Sequence, residues 1–213
     1  MIPIATKRLN FGLMLAVAVV AIAGVSGCQR VQVDAQTRPL FPLELGNEWT
    51  YLAQGGIQNG EKRTLAIDSA VTRDHRRYFH LSGFPISLWV YRDRSDNLQW
   101  VESPGGAASP FLRFDADVNE QWESHLGCCG ASWIADDYAV VETPYARFDG
   151  AVSIVIDNGC LDRGLSVSVA RAVGPVYWET ISISGPTQWL LTSVHINDID
   201  VRTPDRHRIT SSP

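Results

Sequence analysis

Val152-Ser153-Ile154-Val155-Ile156-Asp157 places a branched apolar side chain at every second position, with Ser153 and Asp157 between them. A period of two belongs to a strand with one face against a core, whereas a helix would repeat about every 3.6 residues. The same alternation returns on both sides of this stretch. Leu65 and Ile67 alternate with Thr64, Ala66 and Asp68; Val167 and Val169 with Ser166 and Ser168; Ile181 and Ile183 with Ser182 and Ser184. Leu190, Thr192, Val194 and Ile196 share one face of a further run, and Trp189, Leu191, Ser193 and His195 the other.

Turn residues separate these runs. Gln58-Asn59-Gly60, Ser95-Asp96-Asn97, Pro104-Gly105-Gly106, Asp149-Gly150, Asn158-Gly159, Gly174-Pro175 and Gly185-Pro186 all carry turn chemistry. No stretch reads as a helix of three turns. The pattern predicts an all-β domain, a single antiparallel β-sandwich or half-barrel of about ten strands rich in meanders. Seven tryptophans accompany it. Trp49 with Tyr51, and Trp89 with Tyr91, each share a strand face, and Trp100, Trp122, Trp133, Trp178 and Trp189 lie on or beside other strands. Their first reading is core filling, their second an aromatic-lined groove.

The N-terminus differs from all of this. Lys7 and Arg8 precede an uncharged apolar run from Phe11 to Val25, and Val25-Ser26-Gly27-Cys28 closes it. Basic, apolar, then small residues is the order of a secretory signal. The run is about 15 residues, short of the roughly 20 that cross a bilayer; an uncleaved anchor is the alternative. Residues 25–28 resemble the lipobox of bacterial lipoproteins, with Val25 in place of the usual Leu. The resemblance implies that Cys28 is acylated, palmitate among its chains, and becomes the first mature residue. It also implies a cell-envelope protein held in a membrane through Cys28. Gln29 stands where an enterobacterial inner-membrane retention signal would place Asp, which favours the outer membrane, on its periplasmic or surface face.

The segments follow: signal peptide 1–27, tether 28–39, β domain 40–200, and a polar tail 201–213 expected to be disordered. Loss of residues 1–27 removes Lys7 and Arg8 and no acid, so a net charge of −5 becomes −7. That balance argues against nucleic acid as a partner and against a basic patch on anionic headgroups.

With Cys28 acylated, Cys128, Cys129 and Cys160 remain. One disulfide from Cys160 to either neighbour would close a loop of about 30 residues and stabilise by roughly 3–4 kcal/mol. A vicinal Cys128–Cys129 bridge is the alternative. His125, Cys128 and Cys129, with Cys160 as a further candidate, lie close enough in sequence to ligate a metal or carry redox chemistry, although their spacing is that of no common zinc knuckle. No cofactor and no catalytic residue is assigned. Asp115, Asp117, Asp136 and Asp137 read as solvated carboxylates. His75 and His80, near Arg73, Arg76 and Arg77, read as a polar strand.

Phe41-Pro42-Leu43-Glu44-Leu45-Gly46-Asn47-Glu48-Trp49-Thr50-Tyr51 resembles the opening of a large group of bacterial envelope proteins. Thr143-Pro144-Tyr145-Ala146-Arg147-Phe148 and Ala172-Val173-Gly174-Pro175-Val176 are similar to two later elements of that group, the first with Ala146 for a glycine. The resemblance implies a curved antiparallel fold akin to the DUF3108-like domains, compared at times with periplasmic lipoprotein carriers. It brings no catalytic residues. The expected function is non-enzymatic binding of an apolar or glycan ligand, or of an envelope partner protein. An envelope hydrolase and a metal or redox lipoprotein are the alternatives.

Overall fold

The computed structural model describes residues 38–124, 130–160 and 163–197, with the backbone alone at 158–160 and 163. Cys28, His125, Cys128, Cys129, residues 1–37 and the tail 201–213 lie outside the described residues. So does the side chain of Cys160.

Among the described residues twelve strands run in chain order: β1 (Glu48–Gln54), β2 (Lys62–Arg73), β3 (Arg76–Gly83), β4 (Leu88–Arg92), β5 (Leu98–Val101), β6 (Ala108–Leu112), β7 (Gln121–Glu123), β8 (Ala131–Glu142), β9 (Arg147–Cys160), β10 (Arg163–Ala170), β11 (Gly174–Ser182) and β12 (Gly185–His195). They form one antiparallel sheet in the order β6-β5-β4-β3-β2-β1-β12-β11-β10-β9-β8-β7. Two meanders, β1–β6 and β7–β12, are thus joined by the pairing of β1 with β12. The sheet curls into a nearly closed barrel. Near the seam between its end strands the Trp100 indole N–H of β5 donates to the Ser124 carbonyl, just past β7, at 2.7 Å. Phe111 and Leu112 from one meander share a core with Trp122 and Ile134 from the other.

The expectation of about ten strands falls short because β5 and β7, of 4 and 3 residues, are too brief to show a period. Trp49, Tyr51, Phe111, Trp178 and Trp189 are fully buried, so the interior is filled by side chains. Tyr51 and Trp49 also lock β1 to the other half. The Tyr51 hydroxyl donates to the Pro175 carbonyl at 2.8 Å and the Trp49 indole to Val173 at 2.6 Å.

Bulges break the period where the sequence suggests it runs on. On β12, Leu191 faces Tyr51 and Ser193 faces Thr50, leaving Thr192 unopposed. One extra residue exchanges the two faces. Trp189 and Leu191 therefore fill the core before the bulge, and Val194 and Ile196 pack against it beyond. Gly150, expected in a turn with Asp149, lies inside β9 at φ 77° where the register to β8 slips. Asn158 and Gly159, also expected in a turn, continue β9. Ile183 and Ser184 form the tip of the β11–β12 hairpin rather than strand, and Ile183 is exposed.

Candidate functional site

A cleft of about 1020 Å³ opens at the end of the barrel where the described chain begins. One wall is the segment 38–45. Leu40, Phe41 and Leu43 are buried, and Phe41 packs on Trp49 with ring centroids 5.4 Å apart. Its backbone is pinned in turn. The Arg38 carbonyl accepts from Arg171 at 2.8 Å, Pro39 from the Ala172 amide at 2.9 Å and Pro42 from the Asn47 side chain at 3.1 Å. Arg38 and Pro39, expected in the tether, are thus already held by the domain. The other walls are the β2–β3 and β4–β5 turns, which bring up His75, Arg76 and Arg77 on one side and Arg92 and Arg94 on the other.

Four guanidinium groups converge here, and their engagement differs. Arg77 faces Glu44 at 3.5 Å and Arg92 faces Asp96 at 3.1 Å, while Arg92 also donates to the Phe41 carbonyl. Arg76 lies over the Tyr91 ring at 4.1 Å. The Tyr78 hydroxyl and then Tyr91 favour its charged form and hold its pKa above the ordinary value. Arg94 is exposed and has no ion pair among the described residues. Asp93 does not neutralise it. Its carboxylate accepts from the amides of Ser95 and Asn97 and from the Gln99 side chain at 2.8 Å, building the turn instead. Guanidinium groups present planar forks of donors that match phosphate and carboxylate oxygens, so Arg76 and Arg94 can take an anion in a cleft that Glu44, Asp74 and Asp93 also line.

Beside the cleft the outer face of β3–β5 carries a second small core. Tyr78, Tyr91 and Val101 are buried there with Trp89 against them, and Tyr78 meets Tyr91 edge-on at 5.4 Å. Trp89 and Tyr91 thus share a strand face as expected, but it is the outer one; Val90 faces the barrel core. This packing fixes the ring on which Arg76 rests.

A second polar cluster was missed in the sequence. His80 Nδ1 lies 2.8 Å from an Asp68 oxygen and its Nε2 lies 3.4 Å from the Ser87 hydroxyl. Asp68 occupies a bulge of β2, between the Ile67–Leu81 and Ser69–His80 pairs, which turns its carboxylate toward His80. A hydrogen bond from Ser82, and then from His80, lowers the Asp68 pKa. The order carboxylate, imidazole, hydroxyl is that of a nucleophilic triad. Against it, Ser87 and Asp68 are exposed and neither cleft includes Ser87. The chain is also satisfied as a cross-strand polar ladder on a solvated face.

Of the other carboxylates expected from the sequence, Asp115 and Asp136 have structural partners. Asp115 faces Arg113 at 3.4 Å, and Arg113 faces Glu120 at 2.8 Å. Asp117 offers its amide to Glu120, and Asp136 accepts from the Tyr138 amide at 2.8 Å. Asp137 is exposed on β8. No group of three or more potential metal ligands occurs among the described residues, and the candidates His125, Cys128 and Cys129 lie outside them. At the opposite barrel end a smaller cleft of about 390 Å³ lies beside Arg63 and Phe84; Arg63 stands over the Phe84 and Trp189 rings at 5.4 and 5.1 Å.

No family model matches the chain, and no curated protein does. Two solved structures resemble it in backbone course. A protein of Bacteroides fragilis, described as exported and of YmcC-like fold, has a TM-score of 0.46 at 7% identity over 74% of this chain and 99% of its own. A protein of Parabacteroides distasonis, described as a lipoprotein, has a TM-score of 0.38 at 11% identity over the same shares. Both scores are low, and neither likeness decides anything about this chain.

Proposed function

We propose that this is a lipid-anchored envelope protein that works by binding, and that its ligand is an anionic glycan held in the arginine-lined cleft. The lipobox-like residues 25–28 support the anchor, with the outer membrane favoured by Gln29. The observation that carries the ligand is the convergence of Arg76, Arg77, Arg92 and Arg94 on a cleft of about 1020 Å³ with Tyr91 at its wall. Guanidinium forks take the acidic groups of such a glycan. A filled interior leaves the surface cleft as the better place for a ligand than the barrel axis.

Titration of the mature protein with polygalacturonate and with neutral dextran tests this. Binding of the acidic polymer alone, weakened at least about tenfold by an Arg76→Gln/Arg94→Gln variant, is the expected result; tenfold is about 1.4 kcal/mol, the scale of one charge-assisted hydrogen bond. Equal binding of both polymers, or none, would sink the ligand assignment. The anchor is tested separately: Cys28→Ala should abolish lipid labelling and membrane retention.

A second reading, an envelope hydrolase, rests on the Asp68–His80–Ser87 chain. It requires that turnover of an activated ester be lost in Ser87→Ala while folding is kept. Turnover unchanged in that variant removes it.

A further inference from the structure

Among the described residues the most exposed large apolar side chains are Ile57, at 83%, and Ile183, at 85%. Neither lies on a strand. Ile57 stands on the turn between β1 and β2, and Ile183 on the turn between β11 and β12. β1 and β12 pair as far as Gln54 and Gln188, so the two turns leave the barrel side by side at one end. Their contact is close. A Cβ on Gly55 would lie 3.8 Å from the Pro186 carbonyl oxygen, and one on Gly56 would run into the Thr187 hydroxyl. The β3–β4 loop joins them from beyond β2. Its Phe84 ring packs on Trp189 with centroids 4.1 Å apart, and the Phe84 amide donates to the Thr64 carbonyl at 3.0 Å.

These three loops carry no charge. Residues 55–60, 84–87 and 180–188 contain no Asp, Glu, Lys or Arg, whereas such residues make up 19% of the chain, so the depletion is local. The acidic groups nearest in the register stand at the hairpin bases. Glu61 faces Arg63 at 3.0 Å, Glu179 accepts from the Tyr177 hydroxyl, and Asp157 on β9 faces Gly164 of β10. Several polar groups of the turns are also satisfied locally. The Ser182 hydroxyl meets that of Ser184 at 2.7 Å and donates to the Gly185 carbonyl at 3.2 Å. The Asn59 side chain accepts from the Gly55 amide at 3.1 Å, and the Gly60 amide donates to the Ala53 carbonyl at 2.9 Å. A turn whose polar groups are already paired loses little on leaving water, whereas a charge or an unpaired group would oppose the transfer.

We infer that these loops dock on a lipid bilayer, with Ile57 and Ile183 entering the boundary between headgroups and acyl chains and Lys62 meeting lipid phosphates. Lys62 opens β2 just behind the Ile57 turn, is exposed and has no ion pair among the described residues. Its charge therefore complements an anionic headgroup at the level where interfacial cations sit. Two separate protruding tips suit a fluid phase, which closes around each of them. A folded partner needs a continuous surface of about 800 Å² on each side. This second surface goes beyond the glycan reading of the arginine-lined cleft and depends neither on that reading nor on Cys28.

Vesicles of phosphatidylcholine carrying a diazirine midway along one acyl chain test the docking. The mature protein is reconstituted with them, illuminated and digested, and the lipid adducts are mapped by mass spectrometry. The expected result is adducts on the peptides that bear Ile57 and Ile183, in addition to any on the N-terminal peptide. An Ile57→Ser/Ile183→Ser variant of unchanged melting temperature should lower their yield at least about fivefold, and Ile57→Leu/Ile183→Leu should keep it. Including about one third phosphatidylglycerol should raise the yield about twofold or more in the wild type but not in Lys62→Gln. An equal yield in both lipid mixtures removes Lys62 from the contact. Adducts confined to the N-terminal peptide, or a yield untouched by the Ser pair, overturn the docking. A dimer in sedimentation that the Ser pair dissolves, with no adducts on the tips, assigns them to a second copy and equally refutes the bilayer.

Discussion

Phe41→Ala tests whether the segment 38–45 is the structural wall of the cleft. Phe41 is 1% exposed, its ring lies 5.4 Å from that of Trp49, and Leu40 and Leu43 are buried beside it. Truncating a phenylalanine in such a place removes its transfer free energy and leaves a cavity, typically costing 3–5 kcal/mol. Here the segment is close to a chain end and can partly collapse or peel away, so the low end of that range applies, about 3 kcal/mol. For a domain of this size each kcal/mol moves the melting temperature by about 2–4 °C, giving a fall of about 6–12 °C.

The loss should also be local. The Ala172 amide, bonded to the Pro39 carbonyl at 2.9 Å, should exchange faster well below the melting transition. Arg92, which donates to the Phe41 carbonyl, should lose its fixed position and take ligand affinity with it. Melting followed by circular dichroism, with amide exchange by mass spectrometry, reads both effects. A shift under about 2 °C together with unchanged exchange at Ala172 would mean that this segment does not build the wall, and the account of the cleft would fall.

Three further outcomes are expected. Gly83→Ala should destabilise by about 3 kcal/mol or more, since Gly83 holds φ 95° and an added Cβ would run into the Thr64 carbonyl oxygen; a urea midpoint close to wild type would contradict that backbone. Burial raises the pKa of Tyr51, and burial followed by the hydrogen bond to Glu179 raises that of Tyr177. The folded state thus holds both protons more tightly than the unfolded chain, so this stability is fully present below about pH 10 and is lost as pH rises above it; Tyr51→Phe should flatten the alkaline fall in the urea midpoint, and an equal slope would refute it. Peptide mapping without reduction should find Cys160 joined to Cys128 or Cys129, whereas three free thiols would favour the metal or redox alternative.

Period-two runs such as 152–157, with the turn residues between them, were enough to predict an antiparallel all-β domain, because a strand half buried in a core leaves that signature in the chain itself. The lipobox-like residues 25–28 are a local motif, and Cys28 lies outside the described residues. Several turns also fell where the sequence set them, as at Gly60, Asp96 and Gly105, each at positive φ. The bulges did not show. An unopposed Thr192 or Asp68 depends on the register of two strands, and nothing in one strand reports the pairing of its neighbour. The aromatic pairs were visible as strand faces, yet only packing decided that Trp49 and Tyr51 fill the core while Trp89 and Tyr91 face out.

The candidate site lay further from view. Arg76 and Arg77 read in sequence as part of a polar strand, and Arg92 with Arg94 are ordinary charged residues beside another hairpin turn. Their convergence requires that the β2–β3 and β4–β5 turns stand at the same end of a meander and that the segment 38–45 close the third side. Asp68, His80 and Ser87 come together for the same reason, across three pieces of chain. The sequence by itself determined the strand content and the total charge, and it carries the expectation of an envelope address at Cys28. Only the tertiary structure decided which charged groups meet, because the convergence of two turns on the segment 38–45 is a property of strand order and curl, which no composition can express.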